Sequence, residues 1–294
     1  MFFQGSPQNQ ARLINQYQDL VDIPLLMAID AEWGVGMRFK DQVISFPRQL
    51  MLGAIQDDNL LYEMGKEVAF QCKKIGIHVN FAPVADVNNN PDNPVINDRS
   101  FGEDMYNVAA KSFAYMKGMQ DNGILACAKH FPGHGDTGVD SHFDLPVINH
   151  SLERLDSLEL MPFKVLSEQG IASMMVAHLH TPAFDNRKNR PTTLSENVIK
   201  NVLRKQLNFN GLVFTDAMEM KGVLKHFPAG IAEAEALLAG NDMIVLPTEL
   251  DNAFTTIKTY IKEGKISQSQ VEESVKRVLA AKYNLGLHKG HNSL

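Results

Sequence analysis

The side chains best suited to chemistry crowd into one stretch, ILACAKHFPGHGDTGVDSH, residues 124–142. Lys129, His130, His134, Asp136, Asp140 and His142 all fall within it. They follow the apolar run 124–128, the pattern of a buried strand. Pro132, Gly133, Gly135 and Gly138 then punctuate the sequence, so these polar residues are expected on a loop rather than in helix or sheet. Titratable groups gathered at the end of a buried strand point to a site more than to a scaffold.

Two catalytic arrangements and a rival can be drawn from the residue types. Asp140 and His142, two apart on an extended loop, would point the same way, so the carboxylate could orient an imidazole that gives and takes a proton near neutral pH. The same spacing also suits a loop held together by its own polar groups. Asp216 follows the run GLVFT, and a carboxylate at a strand's C-terminal end can be held rigidly enough to serve as a nucleophile. It could equally cap the segment that follows, and Glu219 competes with it. The rival is a metal site drawn from His130, His134, Asp136 and His142, with His178 and His180 as further ligands. HGDTGVDSH lacks the HxHxDH order of metallo-hydrolases, and no HExxH is present. Arg38, Arg99, Lys129 and His130 are donors near strand ends. Polyols need such groups, because each hydroxyl must recover the hydrogen bonds water gave it. Any one Arg alone would fit a surface ion pair as well.

The elements that must position these residues alternate along the chain. Helices are predicted over 8–20, 58–75, 107–122, 152–169, 195–207, 229–239, 251–263 and 268–284. Strands are predicted over 24–29, 77–84, 124–128, 172–177, 212–215 and 243–246. Gly76, Gly123, Gly170 and Gly240 read as helix stops, and Ser151 and Ser195 as N-caps. Such an order implies an α/β fold around a parallel sheet. Asp30, Asp86, Lys129, His130, His178, His180 and Asp216 sit just after strands. In a (β/α)8 TIM-type barrel those positions open on the face that carries active sites. A doubly wound sheet would carry a Gly-rich phosphate loop, and no GxGxxG or Walker sequence follows any strand.

Composition narrows the classes. The 294 residues suffice for a substantial core and could form one large domain or two small ones. A net charge of −6 with no Lys/Arg block argues against nucleic acid as a partner. No run approaches the roughly 18 apolar residues that span a bilayer, so no membrane partner is expected. Cys72 and Cys127 read as buried thiols. Met1-Phe2-Phe3 runs at once into polar QGSPQNQ, so no signal peptide is visible and the chain reads at face value as cytoplasmic. A truncated N-terminus would leave a periplasmic location open.

KHFPGHGDTGVDSH, together with IDAEWGVGMRF, NFAPVADV, NDRSFGED and GLVFTDAMEM, resembles glycoside hydrolase family 3, in its bacterial β-N-acetylglucosaminidase branch. The likeness runs from about Phe2 to about Gly286. It implies a single (β/α)8-type catalytic domain over 1–294 that removes terminal β-linked N-acetylglucosamine with retention, from small glycans such as muropeptides, without cofactor or metal. Carried onto matching positions, Asp216 is the nucleophile, and Asp140 and His142 are the acid/base dyad. Asp30, Arg38, Arg99, Lys129 and His130 hold the non-reducing sugar. Many relatives have EGGRVQR after the first aspartate, whereas this chain has Glu32-Trp33-Gly34-Val35-Gly36-Met37-Arg38, which alters the rim. The alternatives are a non-catalytic carbohydrate-binding barrel fragment of a longer parent and a metal-dependent hydrolase.

Relatives carry a strand and a helix ahead of Phe2-Phe3. The chain is therefore expected to lack the first β/α unit and most of the second strand, exposing two strand edges and part of the barrel's interior layer.

Overall fold

In the computed structural model, which describes residues 3–138, 140–141 and 143–289, the six strands form one parallel sheet in chain order. They are β1 (Ala28–Ile29), β2 (Val79–Asn80), β3 (Leu125–Phe131), β4 (Ser173–Val176), β5 (Leu212–Ala217) and β6 (Met243–Val245). The strands are joined through helices, and among the described residues the sheet curves into a partial barrel, with β1 and β6 at its two ends. All six expected strands are present, most of them shorter than their apolar runs. None of the described helices is long and apolar enough to cross a membrane.

Both faces of the central strands are covered, which is why they read as unbroken apolar runs rather than alternating ones. Outside lies a large core in which Ile77, Ala126, Met174 and Val213 meet helix residues such as Val68, Tyr115, Phe163 and Leu203. Inside, Val79, Phe81, Cys127, Met175, Leu212 and Phe214 form a second cluster, none more than 4% exposed. The expected exposure of this interior layer is therefore not found for these residues. The last helix, Gln268–Asn284, lays Val278 and Ala281 against them. Asp242 ties that helix in place: one carboxylate oxygen accepts from Ser274 and Arg277, the other from Arg204 and the Val213 amide.

The helix expected over 195–207 forms with the wider π winding over Asn197–Gln206, and two further predicted elements need correction. The helix expected over 152–169 starts at its Ser151 cap but widens over Leu155–Glu159 before resuming as Met161–Glu168. Pro162 has no N–H to continue the ladder, and the extra residue is absorbed in the turn before it. The second correction concerns Lys129 and His130. They belong to β3, which continues through Phe131 with a register shift against β4 between Ala128 and Phe131. Both cysteine thiols are buried, and burial pushes each up to about 12, far from reactive.

Candidate active site

That irregularity in β3 sets up the site. On a regular strand, adjacent side chains point to opposite faces; at a bulge the local twist re-aims one of them. Here Lys129 and His130 both line the same cavity. Entry to the strand is fixed by Gly123, whose φ of 82° ends the helix before it. Beyond the strand, a Cβ on Gly135 would lie 1.7 Å from the Val87 carbonyl oxygen. Only glycine lets the loop press so closely on the segment after β2.

A cavity of about 170 Å³ opens at the C-terminal ends of the strands, lined by Asp30, Arg99, Lys129, His130, Asp216 and Glu219 among others. Phe81 and Met175 form its apolar floor, where Phe81 meets Phe214 edge-to-face at 5.2 Å. A sugar ring needs both surfaces, one apolar for its C–H face and one polar for its hydroxyls.

The polar wall is a continuous ladder of charge. Arg38 approaches the Asp30 carboxylate at 2.9 Å and donates through Nε to its backbone carbonyl. Lys129 Nζ bridges Asp30 at 2.6 Å and Glu32 at 2.8 Å. Arg99 grips Glu32 with two nitrogens, at 2.6 and 3.0 Å, and reaches His130 Nε2 at 3.3 Å. His130 Nδ1 lies 2.7 Å from Asp86, which also accepts from the backbone N–H of both His130 and His134. Burial works to raise the Glu32 and Asp86 carboxyls. Lys129 and Arg99 hold Glu32 well below the usual carboxylate range, and His130 and His134 do the same for Asp86. Lys129 is nearly all buried, which favours its neutral form, yet Asp30 and Glu32 outweigh this and keep it charged.

Sequence reasoning missed Glu32 as a site residue and noted Asp86 only as a polar residue after a strand. A carboxylate two residues past Asp30, wedged between Ala31 and Trp33, was the available signal: buried acids in apolar surroundings are nearly always paired. Arg38 contacts Asp30 but lines a neighbouring cavity with Phe3 rather than the one holding Asp216.

Asp216 stands opposite the ladder, at the end of β5. Its Oδ1 accepts from the Ala217 N–H at 2.8 Å. Burial again tends to raise the carboxyl, but His130, His178, the Ala217 amide and Lys129 together hold it below its ordinary value, so it is ionised at neutral pH. Asp140 begins the nearby turn, its carbonyl accepting from the Phe143 and Asp144 amides. Ser141, next in the chain, lines the cavity, and its hydroxyl lies 3.1 Å from His134 Nε2. His142 lies outside the described residues.

The residues of the metal reading do not share one centre among the described residues. His130 and His134 serve Asp86, Thr137 and Ser141. His134 is held near 4 by burial and by its neighbour His130, and is therefore neutral. Asp136 instead gathers with His150 and Glu159, where Arg154 already sits against both Glu159 oxygens. His178 and His180 turn to separate partners, Ala217 and Arg190.

Known proteins share this chain's sequence and fold. The chain is 33% identical over 97% of its length to beta-hexosaminidase A of Pseudoalteromonas piscicida, of which the alignment covers 53%. Its fold matches that of a glycoside hydrolase family 3 beta-N-acetylglucosaminidase from a Paenibacillus species with a TM-score of 0.94 and 37% identity, over all of this chain and 57% of that one. It matches beta-glucoside phosphorylase BglX with a TM-score of 0.95 at 25% identity, over all of this chain and 54% of that one. The chain thus spans about half the length of these relatives. The model of the glycosyl hydrolase family 3 N-terminal domain matches residues 4–281, and the chain belongs to that family.

Proposed function

We propose that this chain is the catalytic unit of a retaining exo-β-N-acetylglucosaminidase. The observation that carries the reading is an ionised carboxylate, Asp216, sharing one cavity with Asp30, Arg99, Lys129 and His130, a wall of donors suited to sugar hydroxyls. Asp216 attacks the anomeric carbon, displacing the aglycone and forming a glycosyl ester. His142, oriented by Asp140, protonates the leaving oxygen and then takes a proton from the incoming water. Asp30, Arg38, Arg99, Lys129 and His130 hold the sugar, and the ladder behind them fixes their positions. Small glycans released from cell walls, muropeptides among them, are the natural substrates in this reading.

Release of nitrophenol from its β-N-acetylglucosaminide should exceed release from its β-glucoside by at least about tenfold. A preference for the glucoside would overturn the substrate assignment. A second acceptor is favoured by the likeness to a β-glucoside phosphorylase. A neutral imidazole beside the glycosyl ester repels an anion less than a carboxylate would, so inorganic phosphate can compete with water and give sugar 1-phosphate. Product analysis in phosphate buffer yielding free sugar alone would exclude it.

A further inference from the structure

His178 follows β4, is fully buried, and has no part in the mechanism above. Its Nε2 lies 3.0 Å from the Ala217 carbonyl oxygen. A carbonyl can only accept, so Nε2 carries a proton. On the other side of the ring, Nδ1 lies 2.5 Å from the Thr193 hydroxyl. Thr193 and Thr192 reach back to the Ala177 carbonyl at 2.7 and 2.6 Å, which anchors the ring to the end of its own strand. The imidazole thus spans from β4 to the residue after Asp216.

Ala217 is held at both ends. Its carbonyl takes the His178 proton, and its N–H binds Asp216 Oδ1 at 2.8 Å. We propose that His178 is a positioning residue for the nucleophile. It holds the carbonyl of Ala217 in place, the N–H on the other side of the same Cα fixes one oxygen of Asp216, and the other oxygen is left to attack. This rests on the reading of Asp216 as nucleophile. The imidazole also helps to hold that carboxyl low, second to His130 among the groups that do so. Among the described residues, the other charged or titratable groups sharing the cavity with Asp216 are Asp30, Arg99, Lys129, His130, His134 and Glu219.

The test uses His178→Ala and His178→Gln in the full-length chain, assayed on a dinitrophenyl β-N-acetylglucosaminide, which needs no acid. His178→Ala should lower kcat about thirtyfold with KM within about threefold, since the loss falls on the reacting oxygen rather than on binding. The acid limb of its kcat/KM profile should move up by about half a pH unit or more. Gln, whose amide can donate to the Ala217 carbonyl, should recover about tenfold of the lost rate. An unmoved acid limb, or Gln no better than Ala, overturns the positioning role. Should the Ala variant not fold, His178→Leu, similar in size but unable to donate, takes its place: kcat equal to that of Gln, or an unmoved limb, overturns the clamp, and kcat below that of Gln with a moved limb supports it. Labelling wild type with a fluorinated N-acetylglucosaminyl donor separates the two ideas. Label on Asp216 with an unmoved limb sinks the role of His178 alone, whereas label elsewhere sinks the nucleophile and this inference together.

Discussion

The two walls of the cavity are built on opposite electrostatic plans. On the β1–β3 side, three carboxylates (Asp30, Glu32 and Asp86) are interleaved with three permanent cations (Arg38, Arg99 and Lys129) and with His130. On the β5 side, among the described residues, Asp216 faces the same space with a single short bond from the next residue's amide and no direct cation bridge. The difference separates holding from reacting. Buried charges that satisfy one another lose their freedom to rotate and become a fixed template for hydroxyls. A nucleophile bridged in that way would be too well stabilised to attack. Asp216 is kept ionised mainly by the fields of His130, His178 and Lys129, with the Ala217 amide as its contact.

Removing the reacting wall should have the largest effect. Asp216→Ala is expected to lose at least about a thousandfold in kcat on an activated substrate while the protein stays folded. Near-native turnover would show that the wrong wall had been called reactive. The holding wall should fail differently. Glu32→Ala leaves Lys129 and Arg99 buried without their shared partner, and a loss of about 3–5 kcal/mol in stability is expected, read from denaturant midpoints. A loss confined to activity, with stability intact, would contradict the template argument.

His142→Ala sharpens the contrast by dissecting the reacting side. It should cost about a hundredfold on a disaccharide, which needs protonation, yet little for glycosylation by a dinitrophenyl glycoside. Equal losses on both would remove the acid role. The smallest expected effect is a pH dependence of stability from His134. Its folded value is depressed to about 4, so between 6.5 and 4 the unfolded chain binds a proton that the folded chain refuses. Stability is therefore complete above about pH 6.5 and falls as pH drops through that window, by about 2 kcal/mol at pH 5. The depressed carboxyls of Glu32, Asp86 and Asp216 add their losses only at more acid pH. Thermal midpoints should thus decline between pH 6.5 and 5 in wild type and much less in His134→Asn.

Strand order was readable because most apolar runs lead into polar residues, so Asp30, Lys129, His130 and Asp216 could be placed on one rim from sequence alone. The interlocking was not. Glu32 meets Arg99 across 67 positions, and His130 meets Asp86 across 44. Periodicity carries no record of such long-range pairs. Lys129 and His130 were expected on the loop because the glycines and prolines that follow suggested an earlier break. Pairing with β4 carries the strand three residues further. Pro162 was visible in the sequence, yet a widened turn let the helix survive it. The interior layer is covered for a related reason, since a helix more than 130 residues downstream of β3 supplies Val278 and Ala281.

One property of the sheet bears on how copies of this chain behave toward one another. Its outermost ribbons are short: β1 contributes two residues and β6 three, against seven in β3 and six in β5. A neighbouring molecule trying to extend the sheet sideways would gain only two or three backbone bonds, each worth about 0.5–1.5 kcal/mol net. Even at its highest that sum only reaches the lower end of the roughly 4–15 kcal/mol lost in immobilising a partner. Brevity at the margins is thus a barrier to polymerisation that needs no charged gatekeeper.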